Sequence, residues 1–450
     1  MACVSDFLNR LVWGPGLVAA MLGVGLFLSV RTGFVQVRMF PAALRRFLAA
    51  FREAGTGDGE PPFRALCTAL AATVGTGNLV GVAGAIALGG PGAIFWMWVC
   101  GVLGMATKFA EVTLAIHFRQ RRDGEYLGGP MYMIRHGLSR RWRWLAGLYA
   151  FFGVFAAFGI GNATQINAMV AGIGQVLAGF GAQCNDLILG LVLAALVGAV
   201  LLGGARRIGA AAEMLVPFAS AVYLLLSCGV LILRSDALPA AFSAIIRGAF
   251  APGAVTGGMV GSIFAAMRVG LSRGVFTNEA GMGTASIAHA CARVSHPADQ
   301  GLLGIVEVFL DTIVICTMTA LVILCSGVPI PYGTDAGGSL TAAAFSAVYG
   351  DWAGLILAGC ICCFAFATIL GWGLYGARCA QYLLGADVFR PFAWFQIVAV
   401  IVGAVLDTGV IWSLAETVNG LMAVPNLITL VLLSPILSRL AKEYKQITRP

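Results

Sequence analysis

Long apolar runs separated by short charged clusters dominate the pattern of this chain. Cut at the charge clusters and at Pro/Gly turns, it predicts about eleven apolar segments. They lie near residues 14–33, 63–88, 92–120, 145–178, 186–204, 213–233, 257–292, 302–327, 351–384, 392–411 and 413–441. A helix needs about 20 apolar residues to cross a bilayer. Several segments exceed that, which implies tilt, extension beyond the lipid, or a break. The expected class is an all-α integral membrane protein.

Two segments are interrupted near their middles by paired glycines with polar neighbours. The first carries Ala72, Thr73, Val74, Gly75, Thr76, Gly77 and Asn78; the second carries Phe276, Thr277, Asn278, Glu279, Ala280, Gly281, Met282 and Gly283. Backbone polar groups are not tolerated in hydrocarbon unless they line a cavity or bind something. Paired Gly-interrupted spans in corresponding positions of two halves point to a secondary transporter's binding site. Small residues also serve close helix packing in membranes. Asn78, Asn278 and Glu279 at that depth favour a site over packing alone, because intramembrane polar groups are costly and usually functional.

Lys and Arg set the orientation. Basic connections (Arg38 to Arg52; Arg119 to Arg143; Arg206 and Arg207; Arg293; Arg390; Arg439 to Arg449) alternate with connections lacking Lys and Arg at Gly89–Gly92, Gly179–Asp186 and Ser326–Asp351. This positive-inside pattern places the N-terminus outside and the C-terminus in the cytoplasm, in a plasma membrane of the bacterial inner-membrane kind. The broken segments are the second and seventh, five apart, so they enter from opposite faces. The arrangement implied is a five-plus-five inverted repeat with one extra N-terminal helix. Its boundaries are 1–60 for the extra helix and its connection, 61–236 for the first repeat, and 237–450 for the second repeat and tail.

Composition agrees. The chain is 59% hydrophobic and 11% charged, against roughly 25% charged in soluble domains. The net charge of +8 follows from the topology and implies no nucleic-acid partner; the partner it does imply is the lipid bilayer. Most of the twelve cysteines lie in apolar runs as small hydrophobes. Cys360, Cys362 and Cys363 have no second Cys/His cluster at zinc spacing. The polar mix of Met1 to Arg10 speaks against a cleavable signal peptide.

At a break, helix ends leave carbonyls free and helix starts leave N–H groups free. Carbonyls with a hydroxyl or amide make an oxygen cage for a sodium ion, and N–H ends suit a carboxylate. An amino acid with a co-transported cation matches that inventory. Three roles are open to Glu279: proton carrier, countercharge to a substrate amine, or half of a structural pair with Arg268 or Arg273. Lys108 and Glu111, three apart, are expected to pair with each other.

Several stretches resemble the alanine or glycine:cation symporter family over the whole chain. They are GTGNLVGVAGAIALGGP (Gly75–Pro91), its continuation GAIFWMWVCGVLGMATKFAEVTLA, GGPMYMI (Gly128–Ile134), RGVFTNEAGMGTASIAHA (Arg273–Ala290) and HPADQG. The resemblance implies a leucine-transporter-type fold with an extra N-terminal helix, and sodium-coupled uptake of alanine or glycine, with protons replacing sodium in some members. It places Gly75, Thr76, Gly77 and Asn78 around the substrate carboxylate, with Phe276, Thr277, Gly281 and Met282 beside the amine and side chain. Gln165 would be a polar contact to substrate, and Trp372 a wall admitting only a small side chain. Sodium would be held by Thr368 with Ala71 and Val74, and by Thr73, Asn78 and Thr277. Thr277 and Thr284 stand where serine is common in the family; both keep a hydroxyl. Without the resemblance, Trp372 and Thr368 would read as packing residues.

The expected mechanism is alternating access, with sodium as coupling ion, no cofactor, and no bond made or broken. A proton-coupled or exchange carrier is the alternative. An enzyme would need a cavity-facing cluster of His, Cys, Asp or Glu, whereas His117, His136, His289 and His296 are scattered. A channel would need rings of carbonyls or charges from an oligomer.

Overall fold

The structure, a computed structural model, describes residues 12–53, 59–122, 124–179, 181–182, 184–334, 337–406 and 409–447. Met1 to Arg10 and Arg449, used above for the signal and charge arguments, lie outside these residues, as do parts of the Arg-free connections.

Helices account for nearly everything described. They are α1 (Pro15–Arg31), α2 (Phe40–Ala50), α3 (Pro62–Thr73), α4 (Gly77–Gly89), α5 (Gly92–Phe118), α6 (Pro130–Gly137), α7 (Trp144–Phe158) and α8 (Thr164–Gly179). The second half brings α9 (Asp186–Leu201), α10 (Gly204–Leu233), α11 (Leu238–Phe250), α12 (Ile263–Asn278), α13 (Ala285–His289), α14 (Pro297–Val308) and α15 (Cys316–Cys325). It closes with α16 (Gly337–Tyr349), α17 (Trp352–Leu384), α18 (Phe389–Val405) and α19 (Gly409–Ile447). Strands β1 (Gln120–Arg122) and β2 (Glu125–Leu127) form a small antiparallel hairpin.

Among the described residues, seven helices are long and apolar enough to cross a membrane, or eight with the bent pair α3–α4 taken as one span. Pro15–Arg31 and Asp186–Leu201 are shorter apolar helices. The exterior is apolar at Phe151, Phe155, Leu191, Phe218, Leu225, Ile232 and Phe395, all exposed. An exposed apolar surface of this extent is one that faces lipid.

Three spans contain a wider, π-helical turn: Gly77–Gly81, Gly159–Ala163 between α7 and α8, and Phe309–Ile315 between α14 and α15. Such turns interrupt the i→i−4 ladder and are frequent at functional positions. Here they place Asn78, Asn162, Asp311 and Thr312 in the buried interior. Polar groups at that depth require partners. Asn162 Nδ2 donates to the Gln396 carbonyl oxygen at 2.9 Å and to Gln396 Oε1.

The Arg-rich face is stitched shut. Glu60 N–H donates to Cys291 O at 2.9 Å and Arg293 N–H to Glu60 O at 2.8 Å, a parallel pairing of Glu60 with Ala292. Arg64 bonds Glu213 at 2.7 Å and Glu60 at 3.2 Å, Arg378 bonds Glu125 at 2.7 Å, and the Arg119 guanidinium stacks 3.9 Å over Tyr126. The opposite face opens into a vestibule of about 560 Å³ beside Trp13, Leu88, Arg268, Arg273 and Phe276.

Candidate functional site

Helix α3 stops at Thr73 because Val74 turns to an extended conformation (φ −78°, ψ 104°), and α4 resumes at Gly77 after a 52° bend. At the break the Gly75 N–H donates to Asn78 Oδ1 at 2.9 Å and the Asn78 N–H to Gly75 O at 3.2 Å, while Thr76 and Gly77 stand at the start of α4, where helix N–H groups point outward. The break is also crowded: a Cβ on Gly75 would sit 3.0 Å from Thr368 Oγ1, and one on Gly77 would sit 3.4 Å from Thr277 Cγ2. The first break therefore touches both the second break and α17.

At the second break, α12 ends in Glu279, which adopts the left-handed region at φ 52°; Gly281 (φ 104°) and Gly283 (φ 79°) follow before α13. Positive φ suits glycine and strains most other residues. The Glu279 carboxylate accepts from Thr284 Oγ1 at 2.6 Å, closing the turn on itself. Among the roles considered from sequence, this contact supports the break; Arg268 and Arg273 lie in the vestibule instead.

Between the breaks lies a cavity of about 40 Å³. Thr73, Gly75, Thr76 and Gly77 line it from the first break, and Phe276, Thr277 and Glu279 from the second. Gln165 of α8, Thr368 and Trp372 of α17 and Asn419 of α19 also line it, with Ala72, Ile160 and Thr164. Gln165 Oε1 accepts from Thr76 Oγ1 at 3.4 Å and its amide donates to Ile160 O at 3.2 Å. Trp372 is 1% exposed and packs so closely on α7–α8 that a Cβ on Gly161 would fall 2.2 Å from its own Cβ. Phe276 separates the cavity from the vestibule and meets the Trp13 ring edge-on at 6.1 Å.

Thr368 Oγ1 lies 2.9 Å from both Ala71 O of the broken helix and Phe364 O of its own, within reach of donating to either, so its oxygen sits among carbonyls. Val74 is buried beside it, and the Thr73 hydroxyl donates to Ala69 O at 3.3 Å. Thr277 Oγ1 donates to Gly274 O at 3.0 Å. Hard oxygen donors of this kind suit an alkali cation, while thiolate and imidazole clusters suit transition metals.

Asn78, Gly281 and Met282 do not line the cavity. Asn78 is fully buried: its Oδ1 accepts the Gly75 N–H at 2.9 Å, and its Nδ2 donates to Asp311 Oδ1 at 2.6 Å. Met282 packs with Val18, Met21 and Leu427 against α1 and α19. The Gly281 N–H points to Glu111.

Glu111 and Asp311 are the residues that sequence reasoning missed. Glu111 Oε1 accepts from Gly281 N at 2.8 Å, Gly283 N at 3.0 Å and Asn426 Nδ2 at 2.7 Å. An internal carboxylate thus caps the second break. The expected Lys108–Glu111 pair is replaced: Lys108 Nζ lies 3.2 Å from Glu307 Oε1, and Glu307 also meets His289 Nε2 at 2.9 Å. A facing acid on α14 takes the ammonium, and Glu111 turns to the second break instead.

Comparison with known proteins adds the lineage. The model of the sodium:alanine symporter family matches residues 1–449. The chain belongs to that family. It is 43% identical over 446 residues to the sodium/alanine symporter AgcS of Methanococcus maripaludis, covering 98% of this chain and 96% of that one. It is 37% identical over 441 residues to a probable sodium/glutamine symporter of Bacillus subtilis, covering 97% and 89%. Among solved structures, that of MhsT in complex with L-phenylalanine matches with a TM-score of 0.57 at 11% identity, over 86% of this chain and 99% of the other. The fold is thus of the leucine-transporter type. Members of the sodium:alanine symporter family are multi-pass membrane transporters and not enzymes.

Proposed function

We propose that the protein couples sodium entry to uptake of alanine or glycine into the cytoplasm. The observation that carries this reading is the cavity of about 40 Å³ shared by the two breaks and walled by Trp372 and Phe276. By the measure that a water needs some 10–15 Å³ of such space, the cavity holds about three waters, which favours the smallest amino acids. The N–H groups of Thr76 and Gly77, at the start of α4, suit a carboxylate. The corresponding N–H groups of the second break are already taken by Glu111, which leaves the first break as the carboxylate end.

The oxygens of Thr368, Ala71, Val74, Thr73 and Thr277 are the sodium ligands in this reading, and Asn78 holds the break that presents them. Gly281 and Met282 act from behind the cavity, as backbone and packing. The basic face is cytoplasmic by the positive-inside rule, so the vestibule opens outward. External solutes reach the cavity when Phe276 swings from under Trp13. Release inward requires the stitched face to open. In this reading each half of the inverted repeat, 61–236 and 237–450, contributes one broken helix to the part that moves.

The test is uptake of labelled alanine and glycine into proteoliposomes under an imposed sodium gradient, then under a proton gradient at equal membrane potential. Sodium-driven accumulation is expected. Accumulation with protons alone would refute sodium coupling and bring Glu279 forward as the titrating group. The similarity to a probable glutamine symporter makes glutamine the competitor to include; strong competition would refute the size argument.

A further inference from the structure

We propose that Asp311 is the positioning residue through which the two breaks sense each other, so that sodium binding and amino-acid binding strengthen one another. The proposal rests on the carrier reading given above. Asp311 lies on the wide turn Phe309–Ile315, fully buried. Two hydrogen-bond chains converge on it. From the first break, the Gly75 N–H donates to Asn78 Oδ1 at 2.9 Å, and Asn78 Nδ2 donates to Asp311 Oδ1 at 2.6 Å. From the second, the Ala280 N–H donates to Asn278 Oδ1 at 3.0 Å, Asn278 Nδ2 donates to Thr312 Oγ1 at 3.2 Å, and Thr312 Oγ1 donates to Asp311 Oδ2 at 2.8 Å.

Direction is fixed at both ends. A backbone N–H can only donate, so each asparagine must turn its oxygen outward to the break and its NH₂ inward. Both chains therefore arrive at residue 311 as donors. Only a group that accepts on two sides can end them, and a carboxyl group does so through its two oxygens. An amide of the same shape accepts on one side and presents N–H to a donor on the other. Among the described residues no Lys, Arg or His side chain pairs with Asp311, since Lys108 is taken by Glu307. The carboxylate is thus held by these two chains, and a shift of either break alters its hold on the other. Coupling between sites travels through contiguous networks of this sort, and a coupling between two ligands is reciprocal.

The experiment measures the KM for alanine at low and at high sodium in proteoliposomes, for the wild type, D311N, D311E and T312V. The expected ratio of the two KM values in the wild type is at least about fivefold, the lower end of usual couplings. D311N is expected to bring that ratio close to one, T312V to reduce it by breaking one chain, and D311E to restore part of it. A residue serving only stability would lower the amount of folded protein and leave the ratio unchanged. Wild-type ratios in both D311N and T312V overturn the proposal. If the wild type transports no amino acid, the carrier reading fails on its own. Asp311 is then judged by how far sodium enlarges the alanine-induced rise in melting temperature of the purified protein: an enlargement lost in D311N supports the proposal, and one that is absent from the wild type or equal in both proteins overturns it.

Discussion

Replacing Glu111 tests whether the second break is held open by an internal carboxylate. One oxygen, Oε1, accepts from Gly281 N at 2.8 Å, Gly283 N at 3.0 Å and Asn426 Nδ2 at 2.7 Å. Glu111→Ala leaves the buried Gly281 and Gly283 N–H groups without an acceptor, at about 1–3 kcal/mol each, so about 2–6 kcal/mol in all, while the Asn426 amide keeps its bond to Gly281 O at 2.9 Å. Glu111→Gln keeps one acceptor oxygen and removes the charge. Bonds to charged groups contribute about 1.5–3 kcal/mol against about 0.5–1.5 for neutral ones, so the loss is roughly 1 kcal/mol per bond, about 3 in total. Equilibrium unfolding in mixed micelles should therefore rank the proteins wild type, then Gln, then Ala, with sodium-driven alanine uptake following the same order. An alanine variant within about 1 kcal/mol of the wild type would refute the capping role. A glutamine variant as damaging as the alanine variant would refute the argument that the acceptor geometry matters beyond the charge.

Three further outcomes follow from the cavity walls. Thr368→Val removes a hydroxyl set 2.9 Å from Ala71 O; half-saturating sodium for uptake should rise at least about tenfold, equivalent to ~1.4 kcal/mol, with the amount of folded protein unchanged. Trp372→Ala should enlarge the cavity, raising the KM for alanine about tenfold and admitting glutamine as a competitor, as read by inhibition of labelled alanine uptake. Gly161→Ala places a methyl 2.2 Å from Trp372 Cβ; the overpacking should cost about 1–3 kcal/mol, read by unfolding, and abolish uptake if the indole is pushed into the cavity.

Much of the fold was legible because a bilayer makes apolar length and Gly-paired interruptions informative. Predicted segments such as 63–88, 92–120 and 351–384 lie within a few residues of Pro62–Gly89, Gly92–Phe118 and Trp352–Leu384. Segment 213–233 began late because Arg206 and Arg207 read as a connection, whereas α10 already starts at Gly204. The shorter helices α2, α11 and α16 and the β1–β2 hairpin gave no signal, being too brief or too polar for a span-length window. In the site, glycines and hydroxyls announced themselves by depth. Glu111 and Asp311 did not. Glu111 is the one acid of its apolar run and Asp311 one of two with Glu307, and the role of each depends on partners 170 or more positions away, as for Glu111 with Gly281 and Asp311 with Asn78. The polar residue inside an apolar run was the available signal for both. For Glu111, the neighbouring Lys108 offered a local explanation that the fold overrode.

The pairing of Glu60 with residues 291–293 ties the start of one broken helix to the tail of the other. Under the proposed carrier reading that seam is a latch on the basic face, closed here by two backbone hydrogen bonds through one residue. The rest state of the carrier is then set by how far the closed seam outweighs the open one. Cargo must repay that difference through tighter binding to the open form, and moving a population from 1:99 to 99:1 requires about 5.5 kcal/mol of such preference. Sodium without amino acid, or amino acid without sodium, would supply only part of it. Under that carrier reading, the seam is the element that would keep an ion gradient from leaking through a half-loaded protein.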